Sequence, residues 1–431
     1  MIKIKSFDNT KEITSNILEI DQSENININY IPRGNGLSPR LISAVHNGTS
    51  IILKQNNNFD FNIVDLTVKV NSNATFAEVN KEAFKYGLEL PVIGYSSIQI
   101  GAGIAGCIHG KNHFMYDFGD QVDSIEIKLF TNEILNCSNT LNKEIFDLTI
   151  GGYGSTGIIL SAIIKLKRIQ STTIKRIRSA IEHPYEFLEH FNDENIDNYN
   201  SIFGWHNLHP IKKQFASGFI YKDQYLGEDN IMPSLYPVKP AHKYQPNSIY
   251  ILGQIIFGSF FNKLYEIKEN KSPNISIFNI YSEAIASKNI YWSIMRRNGF
   301  IETQFIVPTN NFYNYTEKIK FLLKKHNAIT SVCITKPCKG ERKFLRFRGN
   351  GINIDITGVL NKNNYNFFSE LNKIAIEFDA IPNILKCSIL SKDNIVSSYN
   401  TEYEYFMNLY IKTFGRYPPN WFLTSGFLNY K

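Results

Sequence analysis

Apolar and polar positions alternate over residues 27–33 and again over 122–130, where Ser124, Glu126 and Lys128 share one face and Ile125, Ile127 and Leu129 the other. A period of two belongs to a strand with one buried face. The shorter runs 51–53 and 68–70 read the same way. Residues 75–87 predict a helix instead: Thr75 and Glu78 stand in capping-box register, and Gly87 stands where a helix ends. Later, the apolar runs 251–257 and 303–307 predict strands of a largely antiparallel sheet. Residues 311–326 predict a helix beside it, and 370–378 an amphipathic one.

Three glycine-rich stretches interrupt this pattern. Residues 33–38, Arg-Gly-Asn-Gly-Leu-Ser, follow a predicted strand. Glycines expose N–H donors, so the loop suits a pyrophosphate, with Arg33 and Ser38 as helpers. The third glycine of a Rossmann fingerprint is missing and Pro39 follows, so a hairpin-like turn is the simpler account of this loop by itself. Residues 101–110 hold four glycines and two alanines, and His109, Lys111 and His113 close the stretch. Such a turn leaves N–H groups free for an anion or a polar ring edge; a tight bend between two strands explains it equally well. Gly151, Gly152, Gly154 and Gly157 open an apolar segment ending at Leu166, suited to packing against a flat ligand or to starting a helix.

With 431 residues the chain exceeds one ordinary core, and the basic cluster at 167–178 marks a boundary. The net charge of +7 and the lack of a recognition motif argue against duplex nucleic acid and leave anionic ligands or a membrane surface. Five cysteines without regular pairing fit a reduced compartment, and Cys333 and Cys338 lack the second pair of a zinc site, so no metal is expected. The first residues lack the apolar stretch of a signal peptide, and no run is long enough to span a bilayer; the expectation is a cytoplasmic protein, with peripheral contact at the inner face of a membrane left open. Six basic residues against one acid over 336–348 read mostly as a solvated face. His206 and His209 have no third ligand near them and read as structural. Lys386 closes the apolar run 381–385, and a buried ammonium needs a partner or a task.

Taken together, residues 33–38, 101–113 and 151–159, with 201–205, 299–308 and the Leu385-Lys386 pair, resemble the flavoproteins of the vanillyl-alcohol oxidase and p-cresol methylhydroxylase fold, most narrowly the decaprenylphosphoryl-ribose 2-oxidases. The resemblance implies an α+β protein: a two-part FAD-binding domain (residues 1–168 and a returning segment 381–431) with an inserted substrate domain, 169–380, on an antiparallel sheet. It implies FAD, held by Arg33, Gly34, Asn35, Gly36, Leu37 and Ser38, by Gly94, by Gln99, Ile100, Gly101 and Ala102, by Gly106, Cys107, Ile108 and His109, and by Ile158 and Asn383. Leu37 stands where relatives with covalent flavin carry histidine, so the FAD is expected to be noncovalent. The implied reaction oxidises a secondary hydroxyl, C2 of a polyprenylphosphoryl pentose, to a keto sugar as half of an epimerisation. Lys386, His109 and Lys111 are its catalytic candidates, with Lys386 either a base of lowered pKa or an electrostatic anchor. Gln304, Lys336 and Trp205 would meet the lipid-linked sugar phosphate, and a short-chain NAD(P)H-dependent reductase would complete the epimerisation. Departures are Pro39-Arg40 after the serine, Asn383 for a tyrosine, and Asp355 where that family has a cysteine in its sugar pocket. The alternatives are a soluble-substrate aldonolactone or sugar-alcohol oxidase, and a flavin-free protein that binds glycan or carrier lipid.

Overall fold

The predicted strand at 122–130 forms as Val122–Leu129, within a five-stranded antiparallel sheet ordered Phe59–Asn62, Thr67–Asn71, Gly157–Lys165, Val122–Leu129, Ile134–Ser138. The computed structural model describes the chain outside residues 56–57, 93–95, 111–116, 192–197, 210–214, 228–252, 280–298 and 424–431. Gly94 and Lys111 thus lie outside the described residues. Lys128 departs from its expected wet face. It is 1% exposed, and its ammonium donates to the carbonyls of Gln22 and Glu24 at 2.5 and 2.7 Å. A long side chain with carbonyl partners can be buried where alternation alone predicts exposure.

Those carbonyls belong to the chain leading into a second, four-stranded sheet ordered Ile2–Lys5, Glu12–Ile20, Thr49–Leu53, Ile31–Pro32, antiparallel at its first pairing and parallel after it. Of the strand expected at 27–33 only Ile31–Pro32 pairs. Just ahead of it, the main chain is held by side chains: Asn132 accepts from the Ile26 N–H and donates to its carbonyl. The predicted helix is Phe76–Ala83, with both halves of the Thr75–Glu78 capping box made, and a 3-10 turn carries it to Gly87 at φ +68.

Residues 173–382 supply an eight-stranded sheet, antiparallel throughout, ordered Ile275–Asn279, Thr173–Ile181, Gly218–Tyr225, Ser201–His206, Thr330–Cys338, Gly351–Val359, Phe300–Val307, Ile381–Pro382. Helices Thr309–His326 and Lys362–Ile374 bury Tyr315, Ile319, Phe367 and Leu371 in the same core as strand residues Ile301, Phe305 and Ile354. The expected strand at 251–257 is overturned: residues 253–257 open the helix Gly253–Lys271. Short apolar runs do not separate strand from helix. Asn262 donates to the Thr330 carbonyl at 3.4 Å, and the Tyr221 hydroxyl meets both Tyr265 and Glu269. Beyond the last strand, helix Lys392–Phe414 touches both halves of the molecule through Tyr399 to the Pro382 carbonyl and Tyr410 to the Ser155 carbonyl. The whole is a mixed α and β structure with antiparallel sheets. Among the described residues, no helix is long and apolar enough to cross a membrane.

Candidate active site

A cavity of about 1320 Å³ runs from the first glycine loop to the face of the eight-stranded sheet. Arg33, Gly34, Asn35, Gly36, Leu37, Ser38, Gln99, Gly101, Ala102, Gly106, Cys107, Ile108, His109, Ile158, Trp205, Gln304, Lys336, Asn383 and Lys386 all line it, so it unites most of the residues singled out in the sequence. Ile100 does not line it; it is fully buried behind this wall.

The loop 33–38 leaves the strand Ile31–Pro32 with the Arg33 N–H on the Ile51 carbonyl. Among the described residues, no hydrogen bond takes the N–H groups of Gly34, Asn35, Gly36, Leu37 or Ser38. Five consecutive free donors form a nest for an anion. Side chains hold the loop open: Asn35 donates to the Ser97 carbonyl at 2.8 Å, Ser38 to the Leu385 carbonyl at 2.6 Å, and Arg33 to Ser43 Oγ at 3.0 Å. Gly36 has φ +66, a conformation open to glycine at little cost.

The second glycine stretch behaves otherwise. It is neither a bend between strands nor a free-donor turn but a short helix, Ile100–Ala105. Its first N–H groups are spent on the chain itself, Ile100 on the Ala74 carbonyl and Gly101 on that of Ser72. Its glycines serve close packing: a Cβ on Gly101 would stand 2.9 Å from the Ser72 side chain, and one on Gly106 2.5 Å from Leu385. Ala102, Ala105 and Gly106 thus form a flat wall facing the nest. The third stretch is not a helix start but a series of turns leading into the strand Gly157–Lys165, which sets Ile158 against Ile51 and Leu53. Free donors at one end and a wall of small residues beside them fit a dinucleotide such as FAD.

At the other end, polar side chains form one connected network. Lys336 donates to the Gly110 carbonyl at 2.6 Å and lies 3.2 Å from His109 Nδ1. His109 Nε2 lies 3.1 Å from Gln304 Oε1, which also accepts from Asn383 at 2.6 Å. With the Lys336 ammonium at Nδ1, the network assigns the imidazole proton to Nε2. Burial, with the Lys336 and Lys386 charges, holds His109 well below the usual histidine range. Gln304 Nε2 in turn donates to Asp355 Oδ2 at 3.3 Å. That same oxygen and Glu302 Oε1 each lie 2.8 Å from Lys386 Nζ. Burial alone would lower the Lys386 pKa, but the charges of Asp355 and Glu302 outweigh it and raise it. Of the two roles open to Lys386, a base of lowered pKa and an electrostatic anchor, this direction favours the second: an ammonium held between two carboxyl groups.

Glu302 was not singled out in the sequence. The signal was there, an acid inside the run Phe-Ile-Glu-Thr-Gln-Phe-Ile-Val, every residue of which is buried. The basic run at 336–348 is not a solvated face at all three of its key positions. Lys336 is buried, and Arg346 and Arg348 pair with Asp120 at 3.2 and 2.7 Å, Arg346 also with Asp117 at 3.4 Å. Phe347, between these arginines, packs its ring 5.3 Å from that of His109. Trp205 stands apart from the network, in an aromatic cluster with Phe219 and Tyr265. His206 is structural, as expected: its nitrogens meet the Ala216 carbonyl and Thr335 Oγ1.

Residues 10–138 match the family described as FAD binding domain. The chain is also similar to the decaprenylphosphoryl-beta-D-ribose oxidase of Mycolicibacterium smegmatis, 23% identical over 334 residues, which cover 72% of this chain and 70% of that one. The cofactor is accordingly FAD, and the protein is an FAD-dependent oxidoreductase.

Proposed function

We propose that the protein oxidises a secondary hydroxyl of a sugar, C2 of a polyprenylphosphoryl pentose, to the keto sugar, as the first half of an epimerisation. The observation that carries the reading is the sharing of one cavity by the free-donor nest and the Lys386 cluster. The similarity to an oxidase of a prenylphosphoryl ribose supports the substrate class.

Bound flavin supplies the two-electron chemistry. The chain's residues do the rest. Residues 34–38 hold the pyrophosphate, and Gln99, Ala102, Gly106, Cys107 and Ile108 lie along the cofactor, with Ile158 toward the adenine side. Lys386 offers its remaining N–H to the substrate oxygen. His109 and Asn383 fix Gln304, whose amide orients the sugar, and Lys336 fixes His109. Trp205 gives the pocket an apolar flank. The FAD domain in this reading has two parts, 1–168 and 381–431, about a substrate domain of 169–380. A short-chain NAD(P)H-dependent reductase consumes the keto sugar, and the net charge of +7 favours peripheral contact with the inner face of a membrane, without insertion.

Anaerobic mixing with prenylphosphoryl ribose, followed by flavin bleaching, tests the substrate directly. Absence of bleaching would sink it. Lys386→Ala should keep FAD and lose reduction by on the order of 100-fold or more. A second reading, oxidation of a soluble sugar alcohol or aldonolactone, is favoured by Glu302 and Asp355: two carboxylates about one ammonium leave no positive charge there for a phosphate. Faster bleaching by a pentitol than by the prenylphosphoryl sugar would select it.

A further inference from the structure

Removing hydrogen from an alcohol needs a proton acceptor, and most groups of the network are ill placed for that task. Lys386 is an ammonium, bonded at 2.8 Å to each of two carboxylates. His109 has both ring nitrogens occupied, by Lys336 and by Gln304. Lys336 directs its ammonium at the Gly110 carbonyl and at His109. Glu302 also lines the cavity, but it is 1% exposed and its Oε1 is bonded to Lys386. Asp355 is different. Like the others it lines the cavity, but it is a carboxylate whose side chain keeps 17% of its surface open, and its hydrogen bonds to Lys386 and Gln304 both fall on Oδ2.

Resting on the reading that a sugar hydroxyl is oxidised here, we propose that Asp355 is the catalytic base, taking the hydroxyl proton while Lys386 donates to the same oxygen. In the step, the C–H and O–H bonds break and the C=O bond forms. The hydrogen and its electron pair pass to the bound flavin, which is reduced as the alcohol carbon is oxidised. The proton passes to Asp355, giving a neutral carboxylic acid beside the Lys386–Glu302 pair. The β-pairing places the groups: Gln304 stands opposite Asp355 across the Phe300–Val307 and Gly351–Val359 strands, and Glu302 is two residues from Gln304 on the same face. The charged and titratable groups around Asp355 are Glu302 from one neighbouring strand, Lys336 and Cys333 from the other, Lys386 from the turn after Ile381–Pro382, and His109 from the end of the glycine helix.

The test is anaerobic flavin reduction across pH in wild type, Asp355→Asn, Asp355→Glu and Lys386→Met. The alcohols are prenylphosphoryl ribose, pentitols and aldonolactones, with binding to oxidised enzyme read separately from flavin absorbance shifts. Asp355→Asn should keep FAD and bind the sugar, yet reduce on the order of 10²–10⁴-fold more slowly. Its rate should recover about tenfold per pH unit as hydroxide replaces the missing base, a recovery that Lys386→Met does not show. Wild-type rates in Asp355→Asn, or alkaline recovery in Lys386→Met alone, overturn the assignment. If Asp355→Asn does not retain FAD, Asp355→Glu decides: reduction within about tenfold of wild type upholds a carboxylate base, and a variant that binds FAD and sugar but does not react overturns it. A wild type bleached by none of these alcohols overturns the sugar reading and the base with it, an outcome distinct from a failure at Asp355 alone.

Discussion

Glu302 is a carboxyl group almost without water. Burial, with Asp355 nearby, pushes it up to about 8 even though Lys386 is bonded to it. In the unfolded chain it is an ordinary glutamate. Between those two values the fold holds a proton that the unfolded chain has released, so this residue's contribution to stability is full at low pH and is lost as pH rises through about 8. Thermal melts of Glu302→Gln across about pH 5 to pH 9 should therefore be flatter than wild type, with the variant gaining on wild type toward the alkaline end. Gly36 makes a second test. An alanine there must hold φ +66 with its Cβ 2.2 Å from the Arg33 guanidinium, at a cost of about 1–2 kcal/mol from the backbone alone. Gly36→Ala should weaken FAD binding, measured by flavin titration of the apoprotein. At this scale the sequence was uneven. It exposed the glycines of 33–38 and the lone Lys386, because composition marks both. It hid the meeting of Lys386 with Glu302 and Asp355, because that depends on strand register across more than fifty positions. It also suggested free donors at 101–106, where the helix consumes them, and undervalued 33–38, where all five remain.

Elements were legible where one face is apolar and ends are marked. Thr75, Glu78 and Gly87 announced a helix with its start and stop, and the alternation of 122–130 announced a strand. Helix Gly253–Lys271 was missed because the short apolar run 251–257 is equally compatible with a strand. His206 illustrates how strands are joined by polar contacts. It sits fully buried between the Ala216 carbonyl and Thr335 Oγ1, and burial lowers its pKa to about 4. An unfolded histidine takes up a proton near neutrality that the folded one refuses, so stability is present above that range and falls as pH drops toward about 4. The acid slope of the thermal midpoint should be shallower in His206→Gln, whose amide can keep both partners without titrating.

The whole molecule is bound together by charges that the sequence disguised as surface. Arg346, 2% exposed at its side chain, reaches Asp117 and Asp120 in the turn that follows the glycine helix, and burial pushes Asp117 up from the usual carboxylate range. Removing Arg346 leaves the buried Asp117 with Arg348 alone as an ion-pair partner among the described residues, at 4.0 Å. Arg346→Met should cost about 3–5 kcal/mol in denaturant unfolding, and adding Asp117→Asn should restore part of it. Losses that simply add would show that the pair is not coupled.

The Ser38 hydroxyl bonded to the Leu385 carbonyl joins two places far apart in the chain, the loop proposed to grip phosphates and the turn that carries Lys386. On that proposal, a shift of the loop as the dinucleotide leaves would be passed through this bond to the turn, so that seating the cofactor would also set the position of Lys386.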